Sequence, residues 1–419
     1  MVISRRNLIN IAGVAALAAP FVARARHAHA AGRVAVVGGG FGGATTARFL
    51  AQAGHAVTLV ERDNLFVTCP FSNTVIGGFA TINDISFGYD SLGAAGVTVV
   101  QGEAARAEDG KLTLNSGDVI AYDRLVLSPG IDMRYDALPG YDLAASQIMP
   151  HAWKAGAQTE LLWAQLEAME DGGVVAIVAP DNPFRCPPGP YERASLIAHY
   201  LTQHKPRSKV MILDSKDAFS KRPLFEEAWA ALYPDMIEWV PMSMGGRVIS
   251  VNAQDKALET DFTTINADVA NIIPPQKAGA IAAAAGVADA TGWCPVNPET
   301  FESTLVPGIH VLGDACLAGA MPKSAFSANA QGKAAAAAID RILRGETPQS
   351  PKLINTCYSL AAPDYGFTVA GVYQPEGETL AEVADSGGIS PLGAPRETRV
   401  AEAAYARNWY ATITREVFG

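Results

Sequence analysis

A six-residue turn, Gly38-Gly39-Gly40-Phe41-Gly42-Gly43, restricts what this chain can fold into more than any other stretch of it. It follows Arg33 to Val37, which reads as a short buried strand, and leads into a helix-like stretch, Ala44 to Ala53, with Val57 to Glu61 as the next strand. Strand, glycine turn, helix and strand in that order make a dinucleotide-binding unit. Gly38 permits the tight turn, Gly40 lets the backbone approach a pyrophosphate, and Gly43 lets the helix pack against the strand. With Phe41, these residues aim the helix N-terminus at the phosphates. Glu61, about 20 residues past the first glycine, is placed for the ribose hydroxyls, and its charge disfavours the 2′-phosphate of NADP.

The first thirty residues read as an export signal of the twin-arginine type. Arg5 and Arg6 stand in SRRNLIN, an apolar run extends from Ile9 to Val22, and Ala28 and Ala30 precede a cleavage site near Ala30. The apolar run has about 14 residues, short of the roughly 18 that span a bilayer, so a periplasmic mature chain without an integral span is expected. The net charge is −10; losing Arg5, Arg6, Arg24 and Arg26 leaves 28 basic against 42 acidic residues, or −14. That sign argues against nucleic acid as a partner and suits a basic protein, although solubility explains it as well. About 390 mature residues are enough for two or three packed units.

The glycine turn alone does not separate FAD from NAD. Thr304 to Asp314, TLVPGIHVLGD, resembles the second FAD motif of two-dinucleotide-binding-domain flavoproteins, with Gly313 and Asp314 as the pair that meets the ribityl chain. Leu125 to Gly130, LVLSPG, resembles the strand and turn by which such proteins return to the FAD. Val174 to Ala179 reads as the first strand of a second Rossmann-like unit, but the turn after it carries prolines in place of a glycine fingerprint. Prolines cannot offer amides to phosphate, so a nicotinamide is not expected there. Lys323 opens the helical run Ser324 to Leu343, where a cation would stabilise an anionic reduced flavin; a solvent-facing lysine is the plain alternative.

Five cysteines, Cys69, Cys186, Cys294, Cys316 and Cys357, leave at least one unpaired in an exported chain. None of their spacings resembles a zinc site, and without a C-x-x-C-H the chain attaches no c-type haem of its own.

Together GGGFGGATTARFL, TCPFSNTVIGG, RCPPGPYERAS, GDACLAGAMPKSAFSANAQGKA and NTCYSL resemble the flavoprotein subunit of flavocytochrome c sulfide dehydrogenase. The resemblance implies an α/β chain of glutathione-reductase-like architecture. Residues 31–140 and 275–350 would form the FAD domain, 141–274 a second Rossmann-like domain without an NAD motif, and 351–419 a C-terminal α+β interface domain. It also implies that Cys69 forms a thioether to the flavin, that Cys186 and Cys357 are a redox pair, and that Glu192 serves as an acid/base. Sulfide would be oxidised to sulfur or polysulfide, with electrons leaving for a c-type cytochrome subunit. The role of Cys294 and Cys316, structural bridge or buried thiols, stays open.

Related readings are a sulfide:quinone oxidoreductase, a flavoprotein of thiosulfate oxidation, and a redox-inert binding module. The mixed charge of Glu397 to Phe418 suits a docked helix rather than a membrane-bound one. The cysteine pair argues against the inert module.

Overall fold

Val34 to Val37 and Leu125 to Leu127 are apolar at every position, the pattern of strands covered on both faces. The computed structural model describes residues 32–419 and buries both runs in one parallel sheet. Strand β1 (Arg33–Val37) passes through the glycine turn into α1 (Phe41–Gln52), and β2 (Ala56–Glu61) returns beside β1 with Val34 opposite Val57. A short helix, α2 (Ser72–Ile76), carries Asn73 inward; β3 (Thr98–Gln101) then extends the sheet beyond β2. β4 (Arg124–Leu127) lies on the other side of β1, with Val36 opposite Val126. The export signal expected over residues 1–30 lies outside the described residues.

The chain then enters a second parallel sheet. β5 (Val174–Ala179) precedes α3 (Gly189–His204), β6 (Lys209–Asp214), α4 (Arg222–Leu232), β7 (Ile237–Val240) and β8 (Val269–Ile272), and the strand order is β7-β6-β5-β8. Residues 131–133 and 276–278 pair antiparallel where the chain leaves the first sheet and returns to it. β9 (Ile309–Val311) closes the first sheet beside β4, giving the order β9-β4-β1-β2-β3. It delivers Gly313 and Asp314 to the strand ends where the glycine turn also sits, the usual place for a ligand in such sheets.

α5 (Ala325–Leu343) starts at Ser324, whose Oγ accepts from Ser327 N at 3.0 Å. Ser324 Oγ also donates to Asn355 Oδ1 at 2.6 Å, fastening the helix start to β10 (Leu353–Ala362). β10 pairs antiparallel with β11 (Tyr365–Glu376), which pairs with β12 (Thr379–Glu382). The long helix α6 (Arg396–Phe418) buries Ala403, Ala406, Ile413 and Val417 against the rest. At its end the Phe418 ring lies 5.3–5.5 Å from those of Phe41, Phe66 and Phe87. No described helix is long and apolar enough to cross a membrane.

Candidate functional site

A cavity of about 740 Å³, within the ordinary range for a ligand site, runs from the glycine turn to the β10 strand. Its first wall is shaped by missing side chains. At Gly38, with φ +94°, a Cβ would lie 2.3 Å from Ser128 O; at Gly43 it would lie 1.9 Å from Gly38 O. Neither backbone oxygen has room to retreat. Gly40 and Phe41 border the cavity, and so do Gly130 and Gly313. Glu61 also borders it and braces the turn: Gly39 N donates to its Oε2 at 2.7 Å, while Arg62 N and Asp63 N donate to Oε1 at 2.9 and 3.2 Å. A carboxylate oxygen accepts more than one bond, so Glu61 keeps capacity for a hydroxyl.

Asp314 supplies the fit test for a flavin nucleotide. Its Oδ1 is buried without a hydrogen-bond partner, and Oδ2 lies 3.6 Å from Arg185 Nη1. Burying a carboxylate oxygen unpaired costs about 1–3 kcal/mol or more, which a donor entering the cavity would remove. Tyr89 Oη, Arg185 Nε and Trp153 Nε1, all of cavity-lining residues, are likewise buried and unpartnered. The α5 N-terminus borders the same space through Ser324, Ala325 and Phe326. Glycine cradle, orphaned donors and acceptors, and helix ends together suit a flavin with a long polar tail.

Lys323 departs from expectation. It does not border the cavity: its Nζ donates to Asp314 O at 2.8 Å and Cys316 O at 2.7 Å, and it stands 4.0 Å over the Trp293 ring. Burial pushes its pKa down. A buried ammonium takes carbonyl partners wherever they lie, and here they are the carbonyls of the Gly-Asp turn. Lys323 therefore holds Asp314 in place, and Arg185 is the cation that faces Asp314 from the cavity lining.

The far wall carries the sulfurs. Cys69, Cys186 and Cys357 all border the cavity, as does Glu192. All five cysteines are unbridged in the structure; Cys294 and Cys316 are buried neighbours in strand register, away from the lining. Cys186 adopts φ +57°, a strained conformation for a residue with a Cβ. Its N donates to Lys323 O at 3.0 Å, and its O accepts from Gly189 N at 2.8 Å, so the strain is held by both neighbours. Gly189 has to be glycine for the sulfur to sit there, because a Cβ would lie 3.1 Å from Cys186 Sγ and 2.6 Å from Trp153. Cys357 reaches the same wall from β10, opposite Val369 of β11.

Glu192, in the first turn of α3, accepts from Asn73 Nδ2 at 3.0 Å and Leu360 N at 2.8 Å. Burial pushes its pKa above the carboxylate range, against the pull of those two donors and of Lys221 and Arg193. Burial also pushes the Cys186 thiol up, reinforced by Cys69, Cys357 and Glu192 and opposed by Lys221. Arg193 is buried among Asn73, the His151 and Ala152 carbonyls and Asn271, which its guanidinium reaches at 2.6–3.0 Å. Asn73, Arg185, Arg193 and Lys221 escaped the sequence reading, although Asn73 stands inside TCPFSNTVIGG and Arg185 and Arg193 inside RCPPGPYERAS.

Comparison with known proteins adds three domain matches. Residues 32–160 match the pyridine nucleotide-disulphide oxidoreductase family. Residues 159–274 match the central domain of the sulfide dehydrogenase (flavocytochrome c) flavoprotein chain, and 349–418 the flavin-binding domain of flavocytochrome c sulphide dehydrogenase. A sulfide dehydrogenase (flavocytochrome c) flavoprotein chain from Chlorobaculum thiosulfatiphilum is 62% identical over 45 residues, 10% of this chain and 94% of that sequence. Among solved structures, the sulfide:quinone oxidoreductase of Aquifex aeolicus is 18% identical, with a TM-score of 0.71 over 92% of each chain. Putidaredoxin reductase, in its covalent complex with putidaredoxin, is 17% identical with a TM-score of 0.64, over 89% of this chain and 93% of that one.

Proposed function

Because the chain belongs to the flavocytochrome c sulfide dehydrogenase flavoprotein family, we propose that it oxidises sulfide to sulfur or polysulfide at Cys186 and Cys357 and passes the electrons, by way of FAD, to a c-type cytochrome subunit. One observation carries this reading: two cysteines 171 residues apart in sequence and Glu192 border one cavity whose opposite wall is the glycine turn. When bound, FAD supplies the oxidant that returns the sulfur pair to its disulfide and a carrier that releases electrons singly.

The other steps belong to the chain itself. Hydrosulfide attacks one sulfur of the oxidised pair; the S–S bond breaks, the other sulfur leaves as thiolate, and a persulfide remains. A second hydrosulfide takes the outer sulfur away as HSS⁻ and leaves a thiol. Glu192 takes the proton of the incoming sulfur species and returns it to the cysteine sulfur that the second hydrosulfide releases, so no proton is left over. The test is anaerobic addition of sulfide to purified protein, followed by cytochrome c or a quinone. Bleaching of the flavin and onward transfer to the cytochrome are expected; no bleaching would sink the reading, and transfer to quinone alone would move it to the quinone-reducing class.

Glu192→Gln should lower turnover by about 10²–10⁴-fold, the usual range for a positioned proton acceptor. A base works as its carboxylate, so wild-type activity should fall as pH drops through the raised pKa of Glu192. The variant should lose that limb. Protonation of sulfide affects both proteins equally, so the ratio of their pH profiles isolates Glu192, and a flat ratio near one excludes the role.

Cys69 borders the cavity and is the proposed thioether site. Acid precipitation should carry the flavin down with the polypeptide in the wild type and leave it in solution for Cys69→Ala. Flavin released from the wild type would overturn the tether. The same reading has the mature chain working in the periplasm after cleavage near Ala30; cell fractionation and N-terminal sequencing of the active protein test it.

A further inference from the structure

Lys221 has no place in the scheme above, yet it is 5% exposed and lies behind the sulfur wall. It precedes α4 in a left-handed conformation, φ +62°. Its Nζ donates to Cys357 O at 2.8 Å, to Ser359 Oγ at 2.7 Å and to Cys357 Sγ at 3.6 Å, one acceptor for each ammonium proton. All three acceptors are uncharged when Cys357 is a thiol. Among the described residues, no carboxylate lies within ion-pair distance of Lys221; the ion pairs formed by other buried cations, such as Lys216 with Asp214, have no counterpart here. A buried ammonium is costly without a counter-charge.

The other cations near the sulfurs are engaged elsewhere. Arg185 bonds to Trp153 O and faces Asp314, and the guanidinium of Arg193 is taken by Asn73, Asn271 and two carbonyls. Among the described residues, Lys221 is the one cation whose nitrogen donates to a cavity sulfur. Cys186 also feels Lys221, but among the described residues no nitrogen donates to its sulfur, it shares its surroundings with Glu192 and the other cysteines, and burial disfavours its thiolate.

We propose that Lys221 is a catalytic residue that decides which sulfur leaves: Cys357 departs as the thiolate paired with its ammonium, and hydrosulfide adds to Cys186. This rests on the sulfide-oxidising reading. The step balances: HS⁻ and the Cys186–Cys357 disulfide give Cys186–S–SH and the Cys357 thiolate, one negative charge on each side. The electron pair of the broken S–S bond goes to the sulfur beside Lys221, where attraction to the cation is strongest.

Two measurements separate this proposal from its premise. The first needs no sulfide. Holoprotein reduced with a phosphine is treated with limiting iodoacetamide at pH 7, and the labelled cysteines are mapped by mass spectrometry. Cys357 should react faster than Cys186; Lys221→Met should slow labelling of Cys357 by about tenfold or more, and Lys221→Arg should keep most of it, because the thiolate is the nucleophile. Unchanged labelling of Cys357 in Lys221→Met, with flavin content and near-UV dichroism intact, would reduce Lys221 to a tie between α4 and β10. If Lys221→Met does not fold, Lys221→Gln and the wild-type preference between the two cysteines carry the test, and equal wild-type rates overturn it. The second measurement traps the persulfide after one anaerobic addition of sulfide. It should be found on Cys186. A persulfide on Cys357 overturns the assignment and leaves sulfide oxidation standing, whereas no persulfide on either and no bleaching defeats sulfide oxidation itself.

Discussion

Cys186→Ser and Cys357→Ser should each slow sulfide-dependent flavin bleaching by at least about 10³-fold, as losing one member of a covalent catalytic unit usually does. A hydroxyl cannot form a disulfide, so neither variant offers hydrosulfide a bond to break. The double variant should be no slower than either single one, because the two sulfurs act as a unit. Serine fills nearly the same volume, and Cys186 keeps its backbone contacts with Lys323 and Gly189, so flavin content and melting temperature should hold. Stopped-flow absorbance under anaerobic sulfide reads the rate. Bleaching within tenfold of wild type in either variant would remove the cysteine pair from the chemistry. Cys294→Ser is the matched control: that sulfur does not border the cavity, and the bleaching rate should not follow it.

Gly43→Val should yield protein without flavin. The Cβ alone would lie 1.9 Å from Gly38 O and 3.2 Å from Ser128 Cβ, so α1 must swing away from β1 and carry its N-terminus off the phosphate position. Overpacking of this kind costs about 1–3 kcal/mol in stability, and the displaced amides cost binding besides. Read in a Cys69→Ala background, where no thioether can hold the flavin, FAD affinity should weaken by tenfold or more, about 1.4 kcal/mol or more. Gly93→Ala is the contrast. Gly93 sits in the short helix Asp90–Ala94, a Cβ there meets nothing within 4 Å, and alanine favours a helix, so flavin content should stay and stability rise by up to about 1 kcal/mol. Unchanged FAD affinity in Gly43→Val on the Cys69→Ala background would mean that the turn does not hold the pyrophosphate.

What could be read from the residues follows the range of the physics involved. The glycine turn, its flanking strands and Glu61 are contiguous, and each conformational demand falls on a residue beside the one that makes it. The second nucleotide motif at Gly313 and Asp314 is local in the same way. Cys69, Cys186, Cys357 and Glu192 were found through long residue-specific strings, and the cavity brings them together. Lys221 lies in no such string, and Asn73, although inside TCPFSNTVIGG, carries no mark of its partner. Asn73 meets Glu192 across 119 positions and Lys221 meets Cys357 across 136, and nothing within a turn of either residue demands that partner. Lys323 differs from its expected place for a related reason. Its place at a helix start pointed to the flavin, but carbonyls nine and seven positions earlier lay closer to its amine.

Arg193 has a consequence for rigidity. Its guanidinium joins α2 through Asn73, β8 through Asn271 and the crossing segment through His151 and Ala152, while its backbone belongs to α3. Pulling these parts away from one another would leave a buried cationic donor without its acceptors, at about 1–3 kcal/mol or more. The sulfur wall is therefore braced, through one side chain, to α2, β8 and residues 151–152. On the proposed function, substrate would meet this wall already formed, with no movement of these parts needed to build it.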